Sequence, residues 1–235
     1  MTDFESARFR GHAYLEQLLN APDPGDVKMK VGDKHTDDVR IVQQALFDLG
    51  WLLKVDPALP QESFVIGTFG PVTERVVLAY KTRFGIVPAG ATPSTPYTGT
   101  VGPRTMAMLD YHCTMFDASW SRIYEKYQIF YNDGLPIALS MARPNPLTVE
   151  GTHAVSWELT WDGYPGVFCD DDAVGTCEVH GPIYDAWLAD YGGITGQLGL
   201  PTSDVIDQGD GTELSDFVNG RLVHDVATGI VTRPF

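Results

Sequence analysis

Basic side chains are scarce: 16 Lys and Arg stand against 31 Asp and Glu, leaving a formal charge of −15 and a sequence pI near 4.6. That deficit excludes a nucleic-acid binder, which needs a basic face to displace the counterions of a phosphate polymer. It equally disfavours adhesion to anionic wall polymers by bulk charge. Long apolar runs are missing too, so no segment reads as a membrane span. The six histidines (His12, His35, His112, His153, His180 and His224) are scattered, with no His-x-x-x-His pair and no zinc-ligand spacing. Asp170-Asp171-Asp172 and Asp207-x-x-Asp210 lack the spacing of a helix-loop-helix calcium loop and read as solvated acidic turns. No metal or cofactor is therefore expected. The opening Met-Thr-Asp-Phe-Glu-Ser-Ala-Arg lacks the basic-then-apolar order of a secretory signal.

There are three cysteines in the 235 residues. Cys169 and Cys177 flank an acidic turn that reads as the tip of a two-stranded hairpin, and a disulfide across it is one expectation, three reduced thiols the other. Cys113 is left over in either case.

A seven-residue phrase is written twice, Gly67-Thr68-Phe69-Gly70-Pro71-Val72-Thr73 and Gly99-Thr100-Val101-Gly102-Pro103-Arg104-Thr105. The first glycine suits a turn of positive φ, the second relieves the crowding of a pre-proline residue, and the proline sits well at the first position of a helix. Each phrase thus predicts a turn feeding a helix. Val72, Val76, Tyr80 and Phe84 follow the first at helical spacing; Thr105, Met106 and Leu109 follow the second. Upstream, Val39, Val42, Leu46 and Leu49 mark a helix that Asp37 or Asp38 caps and Gly50 stops. Phe4, Ala7, Tyr14, Leu15 and Leu18 mark a leading helix over 4–19, and Pro-rich spacers at 56–63 and 88–97 read as loops.

Beyond Tyr111 the helical faces shorten, and aromatics, glycines and strand-like triplets become dense. The tail orders Leu198-Gly199-Leu200-Pro201, then Phe217-Val218-Asn219-Gly220 as a hairpin signal. An echo lies upstream: Ile123-Tyr124-Glu125-Lys126-Tyr127 anticipates Ile183-Tyr184-Asp185-Ala186-Trp187, and Trp161-Asp162-Gly163 anticipates the later hairpin.

Val31-Gly32, Asp38-Val39, Gln43, Leu46, Leu49-Gly50-Trp51, both Gly-Pro phrases, Tyr80 and Phe84-Gly85-Ile86 together resemble the peptidoglycan-binding-domain family, a small three-helix bundle, over about 27–111. The family's aspartate before each turn glycine is replaced by Ile66 and Thr98. The tail is similar to the LGFP repeat of cell-wall-associated proteins, with a degenerate first copy around Arg143-Pro144-Asn145-Pro146. The implied architecture is α+β: an N-terminal helix and linker over 1–26, a helical bundle over 27–112, and a β-rich domain of two LGFP-like repeats over 113–235. The implied function is non-catalytic attachment to peptidoglycan, by its glycan or stem peptide, with a protein partner in a larger phage or secretion assembly also accommodated. The location is then extracellular or at the wall, with a cytoplasmic stay before non-classical release. A peptidoglycan hydrolase with catalytic residues in 112–180, and a scaffold that has lost wall binding, are the alternatives.

Sugars call for aromatic platforms, neutral donors and a few cations. In the bundle Trp51, Phe64, Phe69, Tyr80, Lys81, Arg83, Tyr97, Thr100 and Arg104 supply these around a groove expected between the two phrases. In the tail Trp157 and Trp161, on one strand face by their alternation, are further candidates, whereas Trp187 and Phe217 read as core.

Overall fold

A computed structural model describes residues 2–22, 27–87, 98–140, 145–146 and 154–234. It is mixed α+β and divides into two compact units, Met1–Met115 and Phe116–Phe235.

The first unit is helical: α1 (Ala13–Asn20), α2 (Thr36–Asp48), α3 (Trp51–Val55), α4 (Gln61–Phe64), α5 (Pro71–Arg83) and the start of α6 (Pro103–Asn132). The leading helix is shorter than its periodicity predicts. Residues 5–11 run as turns, because Asp110 accepts the N–H groups of Glu5 and Ser6 at 2.9 and 2.8 Å and holds the backbone off helical geometry. Phe4, Phe9, Leu15 and Leu18 are nonetheless buried. On α2 the cap is His35, with Asp37 and Asp38 in the first turn, where they complement the helix dipole. Gly50 ends α2 in the left-handed region, at φ 73°.

Both Gly-Pro phrases run as turn, then helix. Gln43, itself buried, fastens the first: its Nε2 donates to the Thr68 carbonyl (3.0 Å) and Thr73 Oγ1 (2.9 Å), while its Oε1 accepts the Gly67 N–H (2.8 Å). Gly67 sits at φ 78°, and a Cβ there would lie 2.6 Å from the Thr36 carbonyl. The short segment 29–32 joins the phrases, since Met29 bridges to Val101 and the Gly32 N–H donates to the Phe69 carbonyl. Beneath them Trp51, Tyr80 and Phe84 meet edge to face with centroids 4.9–5.7 Å apart, and the Tyr80 hydroxyl bonds His112 Nδ1 at 2.9 Å.

The second unit corrects the expectation that helical faces shorten beyond Tyr111: α6 continues to Asn132. A five-stranded antiparallel sheet follows, in order β1 (Ile137–Leu139), β3 (Val155–Trp161), β4 (Tyr164–Asp171), β5 (Gly175–His180), with β2 (Asn145–Pro146) also on β3. Then come α7 (Gly181–Ala189), a 3-10 turn (Gly193–Thr195) and a four-stranded sheet β6 (Ile206–Asp207), β7 (Thr212–Phe217), β8 (Gly220–Asp225), β9 (Ile230–Thr232). The two halves share one plan. Each has a hairpin whose turn flank carries an aromatic, Trp161 or Phe217, packed against an aromatic of the preceding helix, Phe130 at 5.5 Å or Trp187 at 5.6 Å. Ile137 lies opposite Trp161 as Pro201 lies opposite Phe217.

The Leu-Gly-Leu-Pro tetrapeptide is structural. Carbonyls of Leu198 and Leu200 accept the N–H groups of Asn219 and Val218 (3.0 and 2.9 Å), the Gly199 carbonyl accepts the Trp187 indole N–H (3.1 Å), and both leucines are buried. It clasps the turn of its own hairpin. Val167, Cys169, Val179, Ile183, Trp187 and Phe217 belong to one core that α7 and both sheets share.

The opposite face of the first sheet receives α6. Ser119, Arg122, Lys126 and Phe130 recur at helical spacing, and three of them are polar. Arg122 clamps the fully buried Asp170 from Nε (3.0 Å) and Nη2 (2.6 Å), and Nη2 also reaches Ser119 and Asp172. The Lys126 ammonium donates to the Thr176 carbonyl at 2.6 Å and pairs with Asp204, whose same oxygen accepts the Glu178 N–H. Asp170 and Asp171 are thus buried, where a solvated acidic turn is expected. Burial pushes the Asp170 carboxyl up, but hydrogen bonds from Arg122, Thr176 and Ser119 outweigh it and hold it below the usual carboxylate range.

Gln43→Leu is expected to cost the first unit roughly 2–3 kcal/mol in urea unfolding, because it strands the buried Gly67 N–H and Thr73 hydroxyl. Arg122→Met, which leaves Asp170 as an unpaired buried charge, is expected to cost on the order of 3 kcal/mol at pH 7. A carboxyl depressed in the fold contributes stability above its unfolded pKa of about 3.9 and loses it as pH falls through the folded value. The Arg122→Met penalty should therefore shrink below about pH 4, as an acid series of melting curves would show.

Candidate functional site

The first candidate region is the pair of phrases in the bundle. They lie against each other: the Glu74 side chain, from the first turn of α5, covers Gly99 so closely that a Cβ there would lie 2.2 Å from Glu74 Cγ. The Lys81 ammonium donates to the Thr100 carbonyl at 2.9 Å. Where a ligand groove is expected between the phrases, the Glu74 side chain and the 29–32 segment stand. Trp51, Phe64, Phe69 and Tyr80 are at most 5% exposed. They are core side chains and offer a sugar no face. Arg83 and Arg104 are exposed, Thr100 is half-buried, and Tyr97 lies outside the described residues.

Trp157 and Trp161 do share a face of β3, and it is the face that α6 covers. Trp161 stacks on His180 at 4.4 Å, nearly parallel, and His180 Nδ1 bonds the Glu178 carboxyl. Burial raises the Glu178 pKa, against the hydrogen bond from His180. A raised carboxyl beside a histidine is a frequent acid–base arrangement. Here Glu178 is 1% exposed and cannot touch a substrate. Trp157 is half-buried, and its ring lies 6.3 Å from that of Trp120 on α6.

Trp120 opens a surface feature that the sequence does not announce. Trp120, Tyr124, Tyr127 and Tyr131 recur at steps of four, three and four along α6, hence on one side of the helix. Tyr124 and Tyr127 have centroids 6.1 Å apart, Tyr127 and Tyr131 5.8 Å, with planes inclined by 41° and 36°. Trp120, Tyr124 and Tyr131 are 43, 47 and 58% exposed, and Tyr127 is half-buried. The signal was present as helical spacing, but dense aromatics between glycine-rich segments favour a strand reading.

A separate cleft of about 430 Å³ lies beside β1, β3 and β4, lined by Ser140, Glu158, Thr160, Pro165, Gly166 and Tyr184 among others. Burial and then the charge of Glu158 push the Tyr184 hydroxyl up. Glu158 and Tyr184 are the ionisable groups in its lining, with the hydroxyls of Ser140 and Thr160 alongside. Among the described residues no group of three His, Cys, Asp or Glu side chains is placed to hold a metal ion, and no helix is long and apolar enough to cross a membrane. No family model and no curated protein matches the chain.

Cys169 and Cys177 are register partners on β4 and β5, both buried and both free, the reduced one of the two alternatives. Burial, then the neighbouring Cys177 and Asp170, push the Cys169 thiol well above its usual range; burial pushes Cys177 up to about 11. Cys113 is buried as well. At pH 8 native protein should take up iodoacetamide at all three far more slowly than urea-unfolded protein, with site occupancy read by peptide mass spectrometry.

Proposed function

We propose that the chain is a non-catalytic cell-wall-binding protein that attaches to peptidoglycan. The observation that carries the reading is the exposed row of tyrosine and tryptophan rings on α6, the kind of flat, polar-tipped surface on which sugars stack. The doubled Gly-Pro phrase and its resemblance to the peptidoglycan-binding bundle support it, as does the likeness of the tail to LGFP repeats. Ile66 and Thr98 stand where that bundle family carries aspartate, and the phrases are packed shut. The bundle is therefore assigned a supporting part and the second unit the contact. A hydrolase is disfavoured by the depth of Glu178, the carboxylate paired with His180.

With purified sacculi the full chain should sediment in the pellet while the supernatant gains no reducing sugars or free amino groups. Release of soluble fragments would replace this reading with the hydrolase. Absence from the pellet, with a stable protein complex recovered instead, would replace it with the scaffold.

A further inference from the structure

We infer that the aromatic row on α6 is a glycan-strand site, in which an extended β-1,4-linked N-acetylhexosamine chain lies along the helix with successive sugars on successive rings. The inference rests on the wall-binding reading for its biological setting and names the part of the wall that is touched.

Pitch is the first argument. From Trp120 to Tyr131 the backbone advances eleven residues, so at ~1.5 Å per residue the four positions follow one another in steps of about 6, 4.5 and 6 Å along the axis, about 5.5 Å on average. That matches the length one β-1,4-linked pyranose adds to an extended chain. The inclinations of 41° and 36° between neighbouring rings give each sugar its own plane. Trp157, whose ring meets Trp120 at 6.3 Å, prolongs the row by one position onto the sheet.

Chemistry is the second. A protein helix docking here would look for aliphatic knobs and holes, whereas four rings with hydroxyl or indole N–H tips favour the alternating C–H faces and hydroxyl edges of a sugar. Gln128, half-buried one turn beyond Tyr124, supplies an amide able to pair with an acetamido group. Charge is the third. A chain of net charge −15 repels phosphate-bearing wall polymers and nucleic acids at long range, but leaves a neutral glycan unaffected.

The row is held in position by the opposite charges beneath it. Arg122 and Lys126 bind the sheet side through hydrogen bonds and ion pairs, with Ser119 accepting from Arg122, so α6 cannot roll to bury the rings without breaking them. The platform is thus preorganised, and binding need not order it.

The test titrates the full chain with tetra-N-acetylchitotetraose, cellotetraose and a free stem pentapeptide. Calorimetry and the Trp120 indole NMR signal are the readouts. Sacculus sedimentation and analytical ultracentrifugation run in parallel. The acetylated tetraose is expected to bind and to shift Trp120, cellotetraose more weakly, and the pentapeptide not at all. Tyr124→Ala and Tyr131→Ala, at the exposed positions, should each weaken the tetraose about three- to tenfold with unchanged circular dichroism and melting, while the Tyr→Phe variants keep most of the affinity. Sedimentation with sacculi but no response to the tetraose, or a response that the alanine variants leave intact, overturns the site while wall binding stands. Tetraose binding that the variants abolish, without sedimentation, upholds the site and overturns wall attachment. A dimer that Tyr→Ala dissociates, with no response to sugar, assigns the row to a self-interface and overturns the inference.

Discussion

Arg122 against the fully buried Asp170 is the contact on which the second unit depends. A carboxylate taken out of water has to find its cation, and only one rotation of α6 supplies one; an apolar face would tolerate slippage that a charge pair does not. Lys126 repeats the constraint one turn on, reaching the Thr176 carbonyl and Asp204. Once Arg122, Lys126 and Phe130 face inward, the residues just after Ser119, Ile123, Lys126 and Phe130 are turned roughly 100° away. Those are Trp120, Tyr124, Tyr127 and Tyr131. The aromatic row is the geometric remainder of the stripe that pairs with the sheet.

Much of the fold was legible in the residues. The Gly-Pro phrases specify turn and helix start through backbone chemistry alone, and Gly50 stops α2 for the same reason. Asn219-Gly220 and Asp162-Gly163 mark hairpins because left-handed or otherwise open backbone is inexpensive there, and Asp162 and Gly163 indeed take φ of 48° and 83°. The length of α6 was not legible. Its inward side mixes Ser119, Arg122 and Lys126, which read as solvent-facing, with Ile123 and Phe130, and its outward row is aromatic, which reads as buried. Tertiary pairing has blurred the usual pattern on that helix.

The candidate site shows the same division. Trp51, Phe64, Phe69 and Tyr80 are aromatic beside turns, and residue type cannot tell a platform from a core; only the packing of Tyr80 on Trp51, Phe84 and His112 decides it. Trp157 and Trp161 were correctly placed on one face of a strand by alternation, but which element covers that face is a long-range matter. Asp170 and Asp171 illustrate the limit most clearly. An Asp-Asp-Asp run is a surface feature until an arginine 48 residues earlier arrives to neutralise it.

The separations along the chain have a consequence for how the protein is made. Arg122 waits for Asp170 and Lys126 for Asp204, partners 48 and 78 residues further on. The clasp at Leu198 and Leu200 waits for Asn219 and Val218. On a ribosome delivering about 5–20 residues per second, the stretch from Lys126 to Asp204 spends several seconds with its aromatic and cationic faces both open to other chains. The second unit is therefore a late-closing one, and the Lys126–Asp204 pair is one of the ties that wait for its last part to emerge.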